Sequence, residues 1–310
     1  MTVLITGVAG FIGFHTASYF LDSGFKVIGI DSLSNLLYSS EVKKDKVNTL
    51  SHRENFSFYK IDLSYQEIDE LLSDVDVVIN LAGLPGQELS WSEFEEYQKA
   101  NTLLVYKLLQ AIKRNPDIYY LQISSSSVQG NSSGTNTGLT LSPYGVSKLG
   151  AENLVRAYRT ELGINCGILR LFSVFGPDQR PDMAYAKFCN LISQGKAIPV
   201  YGDGHQSRSN TFVSDVARAI FLCASEQIPD LEADVTSSQT ITLLQSIKII
   251  CDELGRNPSI EFHDRRLGDQ YVSGGNPKTL SDLLGFRVET SIEDGLRRQA
   301  RHFLNKTGLK

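Results

Sequence analysis

Val3-Leu-Ile-Thr-Gly-Val-Ala-Gly-Phe-Ile-Gly13 is the stretch on which the fold turns. A β-branched run ends at Thr6, and glycines follow at 7, 10 and 13. Phe11, Ile12, Ala17, Phe20 and Leu21 then recur at helical spacing until Gly24. The pattern predicts strand, tight turn and helix. Glycines at those positions let the backbone approach a pyrophosphate, while N–H groups at the helix start face its charge. Asp31, eighteen residues after Gly13, follows a second apolar run over 26–30. A carboxylate at a strand end accepts hydrogen bonds from a ribose diol and repels a 2′-phosphate, so the expected cofactor is NAD rather than NADP. Gly7, Gly10, Phe11, Ile12, Gly13 and Asp31 are its first candidate residues.

The same rhythm continues outward. Strands are expected over 56–61, 75–81, 119–124 and 164–171, and long helices over 92–113 and 143–162. Strands alternating with helices imply an α/β protein with a Rossmann-type doubly wound parallel sheet. Asp62 and Leu63 after the third strand, and Ala82 and Gly83 after the fourth, fall where strand ends meet the same crevice, and they join the cofactor candidates. Past residue 172 the pattern turns irregular, with helices expected over 185–194, 213–225, 243–254 and 292–303. The expected division is an NAD-binding domain over 1–172, to which some later segments return, and a smaller C-terminal substrate-binding lobe over 173–310. A Ser/Thr/Gly/Asn-rich stretch over 131–140 is expected to be a loop.

With 41% apolar and 21% charged residues, the 310-residue chain reads neither as disordered nor as a membrane protein. Its net charge of −5 gives no electrostatic reason to expect nucleic acid or an anionic membrane. Cys166, Cys189, Cys223 and Cys251 are far apart and sit in apolar surroundings, as buried thiols in a reducing compartment would. No basic segment with a long apolar run opens the chain, and the expected location is cytoplasmic. The histidines show no metal-ligand spacing, so no metal site is expected.

Tyr144 and Lys148 are four residues apart on a helix that begins at Pro143, and so share one face. A neighbouring ammonium stabilises phenolate, and a tyrosine tuned in this way can take a hydroxyl proton. Ser124-Ser-Ser-Ser127 closes the fifth strand, where a serine can hydrogen-bond the reacting oxygen.

Thr6-Gly-Val-Ala-Gly-Phe-Ile-Gly13, the serine-rich strand end before Val128-Gln-Gly130, and Tyr144-x-x-x-Lys148 together resemble an extended short-chain dehydrogenase/reductase. More narrowly, they resemble the nucleotide-sugar epimerase/dehydratase group. The resemblance implies Ser125 as the active serine, Lys148 as a second holder of the nicotinamide ribose, and Asn101 as a cofactor-side residue. It also implies a homodimer built by packing the two long helices against their symmetry mates. Ser125, Ser126 and Ser127 stand where 4,6-dehydratases of the group carry Thr-Asp-Glu, which favours the simpler chemistry of a 4-epimerase working through a transient 4-keto sugar. A nucleotide-sugar dehydratase, a 4-ketoreductase and a non-catalytic NAD sensor are the alternatives. The expected partner is a nucleoside-diphosphate sugar, UDP-glucuronate or a UDP-hexose. Ser173 and Arg180 are expected at the substituent on carbon 5, and Arg208, Arg266 and Asp269 near the diphosphate. Three departures from the family pattern stand out: Asn80 for a histidine, Glu88 for an arginine and Gln129 for a tyrosine.

Overall fold

Alternate residues of the central strands are apolar on both sides, so neither face of the sheet can be left to water. The structure, a computed structural model, describes residues 1–130 and 139–308. Strands β1 (Thr2–Thr6), β2 (Lys26–Asp31), β3 (Phe56–Lys60), β4 (Val77–Asn80), β5 (Tyr119–Ser125) and β6 (Cys166–Leu171) lie close to the expected ranges. Short strands β7 (Val174–Phe175), β8 (Ile198–Tyr201), β9 (Ser207–Arg208) and β10 (Thr211–Phe212) follow, and β11 (Glu232–Val235) returns to the main sheet. The sheet has seven strands, all parallel, in the order β11-β6-β5-β4-β1-β2-β3. Strand order reverses between β1 and β4, which opens a crevice at their carboxyl ends.

Helices α1 (Phe11–Asp22), α2 (Ser40–Ser51), α3 (Phe94–Gln98), α4 (Leu104–Lys113), α5 (Pro143–Leu162), α6 (Ala184–Ser193), α7 (Val213–Glu226), α8 (Leu243–Leu254), α9 (Lys278–Leu284) and α10 (Ile292–Thr307) surround it. Val3, Ile5, Val77, Ile79 and Leu121 pack toward α1 and α7, whereas Leu4, Val78 and Tyr120 pack toward α4 and α5. A third core, around Phe188, Ile192, Val200, Ile247, Ile250 and Leu296, holds the C-terminal elements together.

The helix expected over 92–113 is interrupted: a π-helical turn, Lys99–Leu103, separates α3 from α4. Such turns insert a residue and re-aim side chains, and here the residue affected is Asn101. The loop expected over 131–140 lies outside the described residues except for Leu139 and Thr140. All four cysteines are buried and unpaired. Among the described residues, no helix is long and apolar enough to cross a membrane.

Candidate active site

The candidate cofactor, catalytic and substrate residues expected from the sequence all line one cleft of about 970 Å³ at the switch point of the sheet. At its cofactor end the glycine turn runs directly into α1. Gly7 has φ +68°, and a Cβ there would sit 2.8 Å from the Ala82 nitrogen. A Cβ on Gly13 would lie 2.1 Å from the Gly7 carbonyl. The turn is therefore closed to any side chain and offers bare backbone to a ligand. Asp31 ends β2, where its carboxylate accepts from the N–H groups of Ala9 at 3.1 Å and Leu33 at 2.8 Å. Burial pushes its pKa up, against the opposing pull of Lys43 and those two donors. Each carboxylate oxygen keeps a second lone pair for a further donor. Asp62 and Leu63 follow β3, and Asp62 accepts from the Ser64 N–H at 2.9 Å. Thr6 Oγ1 accepts from the Ala82 N–H at 3.1 Å and donates to Asn80 at 2.6 Å, while Asn80 donates to Gln122 at 3.0 Å. Asn80 in place of histidine thus builds a buried polar layer under the cleft floor.

Asn101 sits at the cleft wall, but its amide is already committed. Its oxygen accepts from the Leu84 N–H at 2.8 Å, and its nitrogen donates to the Leu84 carbonyl at 2.9 Å and to Ser147 Oγ at 2.9 Å. It ties the loop after β4 to α5. Gly83 makes this possible, since a Cβ there would lie 2.6 Å from the Asn101 oxygen.

Ser142 caps α5 by accepting from the Gly145 N–H at 3.2 Å, and Pro143 opens its first turn. This start places Tyr144 and Lys148 on the inner face, one turn apart. The Tyr144 hydroxyl lies beside Ser125, which draws its pKa down, and the Tyr97 ring meets Tyr144 edge-on with centroids 6.1 Å apart. Lys148 Nζ donates to the Ile123 carbonyl at 2.7 Å, anchoring α5 to the end of β5. The expected tuning of the phenol by the lysine is therefore corrected. Burial raises the Tyr144 pKa, and the groups that oppose burial are Ser125 and Arg180. Burial also pushes Lys148 down to about 8, with Glu152 pulling the other way.

Toward the second lobe, Ser125 Oγ donates to Ser127 Oγ at 3.3 Å, and Gln87 donates to Ser127 at 3.4 Å. Ser126 and Ser127 are buried in the wall. Ser173 holds φ +37° at the bend after β6. The Arg180 fork faces its own chain, donating from Nε and Nη2 to Asp182 at 3.1 and 2.8 Å. Arg208 donates to the Gln270 carbonyl at 3.3 Å. Arg266 lies 3.6 Å from the centroid of the Tyr201 ring and pairs with Glu88 at 3.0 Å, so the departure at 88 gives this arginine a carboxylate partner. Asp269 lines the cleft beside it. Gln129 turns toward Asp234, at 3.1 and 3.2 Å.

Lys43, Tyr38, Tyr97 and Asp182 line the same cleft and were not singled out from the sequence. Lys43 belongs to α2, which buries only Lys46 and Leu50 and so carries no apolar stripe to reveal it. Asp182 had a signal in Arg180-Pro-Asp-Met183, as a carboxylate two residues from the arginine.

Residues 3–232 match the model of the NAD dependent epimerase/dehydratase family. The chain is 34% identical over 303 residues to an uncharacterized UDP-glucose epimerase, YtcB, of Bacillus subtilis, covering 96% of each chain. It is 30% identical to the UDP-glucuronate 4-epimerase of Thermodesulfobacterium geofontis, covering 95% of this chain and 94% of that one. The Bacillus cereus UDP-glucuronic acid 4-epimerase in complex with UDP-glucuronic acid and NAD superimposes with a TM-score of 0.94. Its identity is 30%, over 99% of this chain and 100% of that one.

Proposed function

We infer that this chain, which belongs to the NAD-dependent epimerase/dehydratase family, is an NAD-dependent nucleotide-sugar 4-epimerase with UDP-glucuronate as the leading candidate substrate. The observation that carries the reading is the meeting, in one cleft, of a side-chain-free glycine turn and the Asp31 carboxylate with Tyr144 set beside Ser125. The UDP-glucuronate 4-epimerases it is similar to support a UDP-sugar as the substrate.

Gly7, Gly10, Phe11, Ile12 and Gly13 would hold the pyrophosphate and Asp31 the adenosine ribose, with Asp62, Leu63, Ala82, Gly83 and Asn101 shaping the remaining wall and Lys148 meeting the nicotinamide ribose. NAD held there would supply a reversible hydride acceptor for carbon 4 of the sugar. Tyr144 takes the proton of the 4-hydroxyl and later gives it back, so one residue serves both directions. Ser125 orients the phenol and shares the reacting oxygen. Lys148, fixed on the Ile123 carbonyl, is held at the end of β5 one helical turn from Tyr144, so its part is to position the cofactor rather than to tune the phenol. Positions 125–127 offer only hydroxyls, which suits reversible oxidation at carbon 4 better than elimination. Ser126, Ser127, Ser173 and Arg180 surround the sugar, while Arg208, Arg266 and Asp269 receive the nucleoside diphosphate.

The division of labour is residues 1–172 for the cofactor and mainly 173–310 for the sugar nucleotide. The working form is a cytoplasmic homodimer. Leu103, Tyr106, Val146 and Leu162 are exposed on the two long helical segments, a face of the kind that pairs with a symmetry mate.

The test is incubation of the purified protein with UDP-glucuronate, UDP-glucose and UDP-N-acetylglucosamine without added NAD, followed by mass spectrometry and NMR. The expected product is an isomer of unchanged mass from one of them. Loss of water or carbon dioxide would overturn the epimerase assignment.

A further inference from the structure

Arg180 is the cation nearest in chemistry to a substrate acid, yet its bidentate face is engaged. Nε and Nη2 both donate to the Asp182 carboxylate, at 3.1 and 2.8 Å. Arg180 is 12% exposed and Asp182 33%, so the pair is screened only in part. The turn itself enforces it, since the Met183 N–H donates to the Arg180 carbonyl at 3.0 Å and brings the two side chains to one side. The turn is also pinned from outside. Gln179 donates to the Val174 carbonyl at 3.2 Å and accepts from the Ala186 N–H at 3.1 Å and from Gln299 of α10 at 2.8 Å. Asp178, in the left-handed region at φ +59°, accepts from Lys306 of α10 at 2.8 Å. The segment leading into the Arg180–Asp182 turn is therefore held in place.

We propose that Asp182 is a specificity residue: by occupying the guanidinium face that an acidic group on carbon 5 would use, it weakens binding of UDP-uronates relative to neutral UDP-hexoses. The proposal rests on the UDP-sugar reading of this cleft. An incoming carboxylate must either displace Asp182, leaving that anion without its cation, or share Arg180 with it, placing two anions on one cation. A hydroxymethyl group at carbon 5 does neither and leaves the pair intact. Two like charges about 6 Å apart in partly solvated surroundings correspond to roughly tenfold in affinity. Arg180 still attracts an acid, and Asp182 sets how strongly.

Isothermal titration of the NAD-loaded protein with UDP-glucuronate and with UDP-glucose tests this in wild type, Asp182→Asn and Asp182→Ala. Both variants are expected to bind UDP-glucuronate about tenfold more tightly and UDP-glucose within about twofold of wild type, with an unchanged melting temperature. A parallel change for both sugars, a drop in melting temperature that accompanies it, or weaker glucuronate binding would overturn the proposal and make Asp182 a structural support for Arg180. Affinities that shift as expected without any isomer being formed would leave this inference standing and remove the epimerase reading. Epimerisation with an unshifted affinity ratio would remove this inference alone, and failure of wild type and both variants to bind either sugar would remove both.

Discussion

Replacing Lys148 by methionine keeps the length of the side chain and removes the ammonium, and its effect on stability can be worked from the site. Lys148 is buried, and its pKa is pushed down from 10.5 to about 8 by loss of water. A lysine whose folded pKa lies below its unfolded value costs the folded state the full difference at any pH below the folded value. The cost fades as pH rises from the folded toward the unfolded pKa, because the unfolded chain then binds the extra proton. At pH 7 the penalty is about 3 kcal/mol. Lys148→Met escapes it but forfeits the hydrogen bond to the Ile123 carbonyl, a loss that carries no pH dependence of its own. The difference in unfolding free energy between Lys148→Met and wild type should therefore move against the variant by about 2 to 3 kcal/mol between pH 7 and pH 10. Urea unfolding of both apoproteins across that range measures it, since the other titrating groups are common to both. A difference that stays flat would refute the claim that burial, rather than the geometry of the helix, governs this lysine.

Tyr144→Phe should fold and retain NAD while losing at least about a hundredfold in turnover, the scale for removing general-base help; near-wild-type turnover would remove Tyr144 as the base. Asp31→Ser should narrow the preference for NAD over NADP, read by fluorescence titration of the apoprotein with the reduced cofactors, because the carboxylate that would repel a 2′-phosphate is gone. Glu152, 1% exposed, accepts from Arg170 through both oxygens and from Arg156, so Glu152→Gln should cost about 3 kcal/mol and lower the melting temperature by about 5 °C in a chain of this size, as calorimetry would show. Leu103→Glu places a charge on the exposed apolar face of the long helices and should convert the proposed dimer to monomer in sedimentation, with the circular dichroism spectrum unchanged.

Much of the site was legible because its chemistry is written in short-range patterns. The glycine turn, Asp31 at the next strand end, the serines closing β5 and the Tyr144–Lys148 spacing each depend on the local backbone, and local backbone preference survives in a single sequence. Where the pattern was weak, reading failed. Helix α2 buries only Lys46 and Leu50 and shows no apolar face, and the π-helical turn at 99–103 leaves the helical periodicity nearly undisturbed while rotating Asn101 onto Leu84.

The sequence by itself determined a parallel α/β sheet, a side-chain-free glycine turn and the Tyr144 helix start, because strand and helix periods and missing side chains are properties of neighbouring residues. The tertiary structure alone decided which partners those side chains take. It set Lys148 on a carbonyl twenty-five residues away rather than on the phenol, brought β11 back beside β6, seated Arg266 between Tyr201 and Glu88, and pinned the Arg180–Asp182 turn with α10. These contacts join segments far apart in the chain, and they form only when packing brings the segments together and burial makes an unpaired charge too costly to keep.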